Sequence, residues 1–315
     1  MSNASNSAEI VVIGELNVDL IASGLKTQPT LGREIIAGDF EITLGSASAI
    51  FACGIANLGS GVKFVSRVGA DAFGEFCIDA LEERGISTET VRVAEGSKTG
   101  VTVVMSTPED RSMVTYLGAI AELGFEDIPS DIFDRSSHLH LTSFYLQTAL
   151  QPHFPRLMAS AKEKGLTTSF DPNSDPEQSG IEKISDVLKY TDIFFINEQE
   201  AALLTGQDNV RSACLELGQF CPLVVVKLGA KGSIAYQDGE FLEAKGFKIN
   251  AIDTTGAGDS FAAGFVGAFL DGKDLRECLT FGNACGALST TKPGGTNGQP
   301  NAKELNEFIQ KNAAR

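Results

Sequence analysis

Near its carboxyl end the 315-residue chain reads Asp253-Thr254-Thr255-Gly256-Ala257-Gly258-Asp259-Ser260-Phe261, and an apolar, glycine-rich segment follows as far as Leu270. A Gly-Ala-Gly turn that opens a helix leaves several backbone N–H groups uncovered, and the helix dipole adds partial positive charge there. Such a place suits a phosphoryl group in transfer. Asp259 stands at the helix start, where its carboxylate can accept a proton from an attacking hydroxyl. An isolated acid in a first helical turn is usually structural, but two acids, two threonines and two glycines within seven residues favour a reactive site.

Strands and helices alternate on both sides of this stretch. Short β-branched or apolar runs predict strands at residues 10–13, 62–68, 138–142, 167–170, 193–196 and 223–228, and a late antiparallel pair at 233–236 and 241–243. Helical spacing predicts helices at residues 43–58, 73–84, 154–164, 181–189, 198–204, 210–219, 258–270, 275–288 and 302–312. The alternation predicts an α/β fold with a mostly parallel sheet covered by helices.

Residues 97–118 interrupt this alternation. Two β-branched runs, 100–106 and 113–117, flank the turn sequence Thr107-Pro108-Glu109-Asp110, which predicts a β-hairpin. Together with residues 16–22 and 34–44 the hairpin can form a small separate sheet, and such a sheet beside a nucleotide-type domain suggests a lid. An antiparallel extension of the main sheet explains the pattern equally well.

The composition excludes several classes of partner. With 43% hydrophobic and 21% charged residues the chain is globular, and its net charge of −16 disfavours binding to nucleic acids or anionic lipids. No stretch reaches the ~18 apolar residues of a membrane helix. The six cysteines have no C-x-x-C spacing, so we expect buried free thiols and a cytoplasmic location. Residues 1–8 are small and polar; we expect them to be disordered or tag-derived, and residues 9–315 to form a single domain.

Three further pairs of polar residues lie at predicted strand ends or on a predicted strand. Asn197 and Glu200 stand three apart at a strand-to-helix junction, where both side chains can share a face and offer oxygens to Mg²⁺; the alternative is a capped helix start with a solvated glutamate. Asp171 and Asn173 follow a strand, at the edge where α/β sheets bind ligands. Asn17 and Asp19 share one face of a strand, and a carboxylate can accept hydrogen bonds from two sugar hydroxyls.

The run from Asp253 to Phe261 resembles the C-terminal signature of the ribokinase/PfkB carbohydrate kinase family. The segment from Gly45 to Gly74, which contains Ala56-Asn57-Leu58-Gly59 and Arg67-Val68-Gly69-Ala70-Asp71, resembles its N-terminal signature. The resemblance extends from about residue 10 to about residue 309. It implies a ribokinase-like three-layer α/β/α fold, a small β-sheet lid formed by residues 16–44 and 97–118, and ATP-dependent phosphorylation of a hydroxyl on a small sugar or sugar derivative. The chain has no G-x-x-x-x-G-K-[ST] motif, so it is not a P-loop enzyme.

The resemblance also implies a role for individual residues. Asp259 is then the catalytic base, and Gly256, Ala257 and Gly258 form the anion hole. The residues expected on the ATP side are Asn173, Asn197, Lys227, Gly229, Gly232 and Asn283, with Glu200 handling Mg²⁺ and Asp253 a monovalent cation such as K⁺. The residues expected on the acceptor side are Asn17, Asp19, Gly45, Ser46 and Arg111, with Tyr116, His140 and Phe144 as further candidates for the pocket wall. In many relatives the lid pairs with a second subunit, so we expect a homodimer.

One segment departs from the family pattern. Many relatives have Gly-Gly followed four residues later by Asn, whereas this chain has Gly45-Ser46-Ala47-Ser48-Ala49-Ile50, with Ser46 at the second glycine and Ile50 at the asparagine. Ser46 and Ser48 are the candidates to compensate for the lost amide. The departure leaves the acceptor open: a nucleoside or a sugar acid, for which Arg111 is the basic lid residue, is an alternative. A catalytically silent ligand sensor on the same fold is the other, although the intact Asp259 and Asn197/Glu200 pair favour an enzyme.

Overall fold

A computed structural model describes residues 9–107 and 111–313, so the first eight residues and part of the expected turn at Thr107–Asp110 lie outside the described residues. The strands are β1 (Glu9–Ile13), β2 (Asn17–Ser23), β3 (Asp39–Leu44), β4 (Gly61–Gly69), β5 (Val91–Ala94), β6 (Gly100–Ser106), β7 (Arg111–Tyr116), β8 (His138–Thr142), β9 (Thr167–Asp171), β10 (Ile193–Asn197), β11 (Leu223–Lys227), β12 (Gly232–Gln237) and β13 (Glu240–Lys245). The helices are α1 (Ala47–Asn57), α2 (Ala72–Glu82), α3 (Phe154–Glu163), α4 (Ser185–Leu188), α5 (Glu198–Thr205), α6 (Val210–Leu217), α7 (Ala257–Leu270), α8 (Leu275–Ser289) and α9 (Ala302–Ala313).

The main sheet has nine strands in the order β13-β12-β11-β10-β9-β8-β1-β4-β5, and only β12 and β13 run antiparallel to their neighbours. Side chains alternate between its two faces. Ile10 and Val12 of β1 belong to a core cluster with helices α1, α2, α7 and α8, whereas Val11 and Ile13 pack with α3 to α6 on the other face. The three-layer α/β/α prediction is therefore confirmed.

The small sheet comprises β3, β2, β6 and β7 in that order and is hydrogen-bonded separately from the main sheet. The expectation of an edge extension is therefore wrong. The pairing register sorts its side chains by face. One face carries the polar residues Asn17, Asp19, Thr43, Thr102, Arg111 and Thr115. The opposite face carries the exposed apolar residues Phe40, Ile42, Val103, Val114 and Tyr116.

Two predicted helices differ in extent from the structure, and one strand was not predicted. The helix expected from residue 43 begins at Ala47, because Thr43 and Leu44 continue β3 and the Ser46 side chain caps the helix by accepting from the Ala49 amide. Residues 181–189 form a 3₁₀ turn followed by only the four-residue α4. Strand β5 was not predicted, since four residues at the sheet edge carry too little periodicity.

Helix α8 is the longest helix in the described part of the chain, with 15 residues, and none of the helices there has the length and apolarity of a membrane span.

The segment that follows the small sheet is fixed to the main sheet by a buried acid. The side chain of Asp127 is 1% exposed and forms ion pairs with Arg67, at 3.2 Å, and with Arg92. It also accepts the Gly124 amide at 3.0 Å. These donors hold the pKa of Asp127 below its usual range, despite the opposing effect of burial. The acid therefore joins β4 and β5 to the chain that leaves the small sheet.

We expect Asp127→Ala to lower the free energy of unfolding by about 3 kcal/mol, because it removes a buried acceptor shared by Arg67, Arg92 and the Gly124 amide and leaves Arg67 only its 3.5 Å contact with Glu122. Urea denaturation measures this. The matched control is Asp134→Ala, which breaks an ion pair with Lys164 whose side chains are 57% and 54% exposed and which should cost less than about 1 kcal/mol. Equal losses in the two variants would contradict the anchoring role of Asp127.

Candidate active site

The parallel strands of the main sheet end at one edge, called here the carboxyl edge, and polar residues collect there. Glu15 follows β1, Asp171 ends β9, Asn197 ends β10 and Lys227 ends β11. The first turn of α7 lies against them, since a Cβ added to Gly258 would stand 3.1 Å from Lys227 Nζ. The structure thus brings the residues predicted from separate motifs to a single place, as expected for open α/β sheets.

The start of α7 is built around Gly256. This residue caps the helix in the left-handed conformation, with φ of 68°, which favours glycine. A Cβ there would also lie 2.9 Å from the Ile50 side chain. The amides of Ala257, Gly258 and Asp259 belong to the first helical turn, whose N–H groups lack intrahelical acceptors; that of Ala257 donates to the Thr254 carbonyl oxygen at 3.3 Å. The turn can therefore receive an anion.

A nearly buried ion pair lies beside this turn. Lys227 Nζ is 2.5 Å from Asp171 Oδ2, and the two side chains are 13% and 1% exposed. Burial alone lowers the pKa of Lys227, but the charges of Asp171, Glu200 and Asp259 outweigh it and raise the pKa. The lysine therefore stays protonated in spite of its burial.

Asp259 is the acid whose environment suits proton transfer. Burial, and secondarily the charge of Asp171, raises its pKa to about 7, against the opposing effect of Lys227. A base with a pKa near the working pH combines a substantial ionised fraction with a useful driving force for proton transfer.

Asn197 and Glu200 form a capping box at the start of α5. Asn197 Oδ1 accepts the Glu200 amide and Glu200 Oε2 accepts the Asn197 amide, both at 2.8 Å. Glu200 is 7% exposed, so the alternative of a solvated glutamate is wrong. Burial raises the pKa of Glu200, although the charge of Lys227 opposes this. Mg²⁺ in ATP sites is commonly held by one or two carboxylates together with phosphate oxygens, and Glu200 fits that role.

A cavity of about 450 Å³ extends from the anion-hole turn between α7, α8 and the β11–β12 connection. The predicted residues Lys227, Gly229, Gly232, Gly258 and Asn283 all line it. Gly229 and Gly232 have φ of 58° and 112°, and a Cβ on Gly232 would stand 2.1 Å from the Ala244 carbonyl oxygen. The backbone therefore requires glycine at position 232, whereas the φ of Gly229 favours glycine but leaves open space for a side chain.

Two features of this cavity were not evident from the sequence. The Asn283 side-chain amide donates to the carbonyl oxygens of Ala244 and Lys245, so it also fixes the end of β13. The apolar wall includes Phe247, Ile249 and Ala251, which lie in an irregular segment without a motif. Their alternation with polar residues was the available signal, and it resembles that of an ordinary strand.

The polar face of the small sheet meets the loop before α7. Asn17 Nδ2 donates to Asp19 Oδ1 at 3.0 Å, and Gly45 fits so closely that a Cβ would lie 2.1 Å from the same oxygen. Arg111 Nη1 donates to Thr255 Oγ1 at 3.0 Å. Burial raises the pKa of Asp19 to about 7, and Arg111 is one of the groups that oppose this. Arg111 thus connects the polar face, which carries Asn17 and Asp19 beside Gly45, to the loop that precedes Asp259.

Asp253 organises the loop itself. Its Oδ1 accepts the Thr255 amide at 2.9 Å and the Thr255 hydroxyl at 2.8 Å, and its Oδ2 accepts the Gly294 amide at 2.8 Å. The carboxylate therefore connects the loop before α7 to the 292–298 loop.

Asn173 stands at the end of β9 with φ of 58°. Its side-chain amide donates to Thr142 Oγ1 at 3.1 Å and to Ser143 Oγ at 2.9 Å, and its backbone amide donates to Asp171. It therefore lies at the carboxyl edge beside the Lys227–Asp171 pair.

The altered segment after Gly45 does not behave as expected. Ser46 Oγ donates to the Glu15 carbonyl oxygen and Ser48 Oγ donates to Glu15 Oε2, both at 2.5 Å. Both hydroxyl protons are already donated to Glu15, so neither can be donated to a sugar hydroxyl. The expectation that Ser46 or Ser48 replaces the missing amide as a donor is therefore wrong. Ile50 is buried and packs against Gly256 and Gly295.

Three further candidates for the pocket wall lie elsewhere. His140 shares a hydrogen bond of 2.7 Å with Ser169 and stacks on Phe51 in the interior, and Phe144 belongs to a core cluster. Tyr116 is exposed on the apolar face of the small sheet. The expectation that these three side chains line the acceptor pocket is therefore wrong.

Comparison with known proteins gives a consistent result. Residues 7–302 match the model of the pfkB family carbohydrate kinases. The ribokinase of Haemophilus influenzae is 31% identical over 316 residues, which cover 96% of this chain and 98% of that protein. The 2-dehydro-3-deoxygluconokinase of Bacillus subtilis is 31% identical over 286 residues, which cover 86% of this chain and 87% of that protein.

Solved structures resemble the fold along its whole length. A putative ribokinase II of E. coli in complex with ATP and Mg²⁺ has a TM-score of 0.84 and 27% identity, and covers 97% of this chain and 99% of its own. A fructokinase of Vibrio cholerae in a fructose, ADP and potassium ion bound form has a TM-score of 0.81 and 27% identity with the same coverage.

We expect Asp259→Asn to stabilise the ligand-free protein at pH 8. A carboxyl group whose pKa is higher in the folded state than in the unfolded state lowers stability as the pH rises from about 4 towards 7. The amide carries no charge to bury. The gain in the free energy of unfolding should therefore grow over this range to at most about 4 kcal/mol, because a pKa difference of one corresponds to about 1.4 kcal/mol.

The measurement is urea denaturation of both proteins from pH 4 to pH 8. Asp271→Asn, at the exposed opposite end of α7, serves as the control and should show no such pH-dependent gain. A gain of Asp259→Asn that is constant across the range would show that Asp259 does not titrate there.

Proposed function

Because the chain belongs to the pfkB family of carbohydrate kinases, we propose that it transfers the γ-phosphoryl group of ATP to a hydroxyl of a small sugar or sugar derivative. The observation that carries this proposal is the position of Asp259. It is a partly exposed acid in the first turn of α7, beside the helix amides and within the electrostatic influence of Lys227 and Asp171. This arrangement supports a single-step transfer between two bound substrates.

In the proposed reaction Asp259 takes the proton of the acceptor hydroxyl as its oxygen attacks the γ-phosphorus. The bond from that phosphorus to the bridging oxygen breaks, and ADP leaves with the electron pair. The turn Gly256-Ala257-Gly258, which opens the helix, would face the charge that develops on the transferring group. Lys227, which its acidic neighbours keep protonated, adds a positive charge at the same edge.

The ATP side is assigned from the cavity. Its apolar wall suits the base, with Asn283, Gly229 and Gly232 around the nucleoside, and Asn173, Asn197 and Lys227 lie towards the phosphates. Glu200, with Asn197, would hold Mg²⁺, which neutralises phosphate charge when bound. We assign a monovalent cation such as K⁺ to Asp253, since this acid already fixes the loop next to the anion hole.

The acceptor side is assigned to the polar face of the small sheet, which would act as a lid. Asn17 and Asp19 would bind sugar hydroxyls, and Gly45 packs directly against both side chains. A sugar acid is the second candidate, because the Arg111 guanidinium lies on the same face and could pair with a carboxylate. The similarity to a 2-dehydro-3-deoxygluconokinase supports this candidate. The six cysteines, all buried and unpaired, fit a cytoplasmic enzyme.

The test is ADP release from Mg-ATP with ribose, fructose, tagatose, 2-keto-3-deoxygluconate, inosine and adenosine as acceptors. We expect one strong responder among the first four, and Asp259→Asn should lower its kcat about 10²–10⁴-fold because general-base catalysis is lost. ATP binding, measured by thermal shift, should persist in the variant.

Asp271→Asn, at the C-cap of the same helix, is the control and should retain full turnover. A response confined to inosine or adenosine would replace the sugar by a nucleoside. Silence across the panel despite ATP binding would favour a ligand sensor, and unchanged turnover in Asp259→Asn would exclude this residue as the base.

We assign the apolar face of the small sheet as the contact surface between the two subunits of a homodimer. Phe40, Ile42, Val103, Val114 and Tyr116 are exposed there in one contiguous register. Exposed apolar patches of this kind mark interaction surfaces. Pairing of two such faces would bury them and steady the lid of each subunit.

Val114→Lys should shift the sedimentation coefficient from that of a dimer to that of a monomer, because it places a charge at the centre of the buried face. Leu215→Lys is the matched control, since Leu215 is also an exposed apolar residue but lies on α6. A monomeric wild-type protein, or a dimer that survives Val114→Lys, would contradict this assignment.

A further inference from the structure

Glu15 is a buried acid at the carboxyl edge to which the proposed reaction gives no role. It lies two residues after the end of β1 and is 2% exposed. A buried carboxylate is unfavourable unless donors satisfy it. Glu15 meets this requirement through hydroxyl and amide donors from two other segments of the chain, and those donors identify what it does.

The first group of donors comes from the segment that departs from the family pattern. Ser48 Oγ donates to Glu15 Oε2 at 2.5 Å, and the Ser48 amide donates to Oε1 at 3.2 Å. The Ser46 hydroxyl donates to the Glu15 carbonyl oxygen at 2.5 Å. The fit is tight, because a Cβ on Gly14 would stand 1.9 Å from Ser48 Oγ. Glu15 therefore fixes the turn between Gly45 and α1.

The second donor connects Glu15 to the ATP side. Ser143 Oγ donates to Glu15 Oε1 at 2.7 Å. The same hydroxyl oxygen accepts the side-chain amide of Asn173 at 2.9 Å. One carboxylate thus joins the ends of β1, β8 and β9 to the start of α1.

The Glu15 carboxylate also influences the pKa values of Asp259 and Asp19. After burial and other groups, it is among the charges that raise the pKa of Asp259 and of Asp19. The other charged groups that face Asp259 are Asp171 at the end of β9, Lys227 at the end of β11 and Glu200 in α5.

We propose that Glu15 is a positioning residue: it holds the Ser46–Ser48 turn that follows Gly45 and places its carboxylate at the carboxyl edge that the start of α7 faces. The proposal rests on the proposed function, because the roles of the acceptor site and of Asp259 come from there. In this proposal Ser46, at the position of the family's second glycine, and Ser48 serve to bind Glu15. They do not serve to bind the sugar acceptor.

The test separates the charge from the hydrogen bonds. Glu15→Gln keeps the shape and an accepting oxygen but removes the charge, whereas Ser48→Ala removes one hydroxyl and keeps the charge. The pKa of Asp259 is read without any substrate, as the midpoint of the pH-dependent difference in stability between Asp259→Asn and the unsubstituted protein. In the Glu15→Gln background this midpoint should fall by about half a pH unit or more, since a nearby negative charge has gone. In the Ser48→Ala background it should stay in place.

The second measurement is steady-state kinetics with the acceptor to which the wild-type protein responds in the panel. Both Glu15→Gln and Ser48→Ala should raise the KM for the acceptor about tenfold, the size expected for one lost hydrogen bond to a charged group, and leave the KM for ATP unchanged. Lys164→Ala, at an exposed site, is the control with no change in either constant.

The outcomes are distinguishable. An unchanged midpoint in Glu15→Gln overturns the electrostatic role, and an unchanged acceptor KM in Ser48→Ala overturns the positioning role even if Glu15→Gln does not fold. A wild-type protein without turnover refutes the proposed function instead, and the midpoint still decides whether Glu15 acts on Asp259.

Discussion

Lys227 and Asp171 form a nearly buried ion pair at the carboxyl edge, and the surrounding acids depend on it. Three carboxyl groups, those of Asp259, Glu200 and Glu15, lie close to one another in a chain that already carries a net charge of −16. Without a protonated lysine among them their mutual repulsion would favour separation of the strand ends that carry them. The ion pair reduces this repulsion, because it keeps the protonated Lys227 next to the first turn of α7.

The chain offers an anionic substrate little positive charge at this edge. Among the described residues, Lys227, Arg111 and the cavity-lining Lys248 carry positive charge there, and the first turn of α7, opened by a left-handed Gly256, adds backbone N–H groups. Backbone donors are oriented by the fold and need no side-chain entropy to hold them. An acidic protein can therefore receive a polyanion without a basic surface.

Much of this was predictable from the sequence, and the exceptions have physical reasons. The strands of the main sheet and the start of α7 were predicted because buried β-branched runs and the Gly-Ala-Gly turn are local signals. Strand β5 and the start of α1 were not, since an edge strand of four residues and a cap at Ser46 depend on tertiary neighbours. The bonds of Ser46 and Ser48 to Glu15 join residues more than 30 positions apart, so no local pattern carries them. The cavity wall from Phe247 to Ala251 was missed because its alternation resembles that of an ordinary strand.

In the small sheet, successive residues of each strand point to opposite faces, so the polar and the apolar face are built from alternate residues of the same strands. Asp19 and Thr102 lie on the polar face, and Val103 between two such positions lies on the apolar face. Substitutions on one face can therefore accumulate while the other face stays constant. The polarity of one face and the apolar surface of the other can then evolve independently. Insertion or deletion of a single residue in β6 would exchange the two faces at once. Natural variation in this strand should consequently consist of replacements, with length changes confined to the loops at its ends.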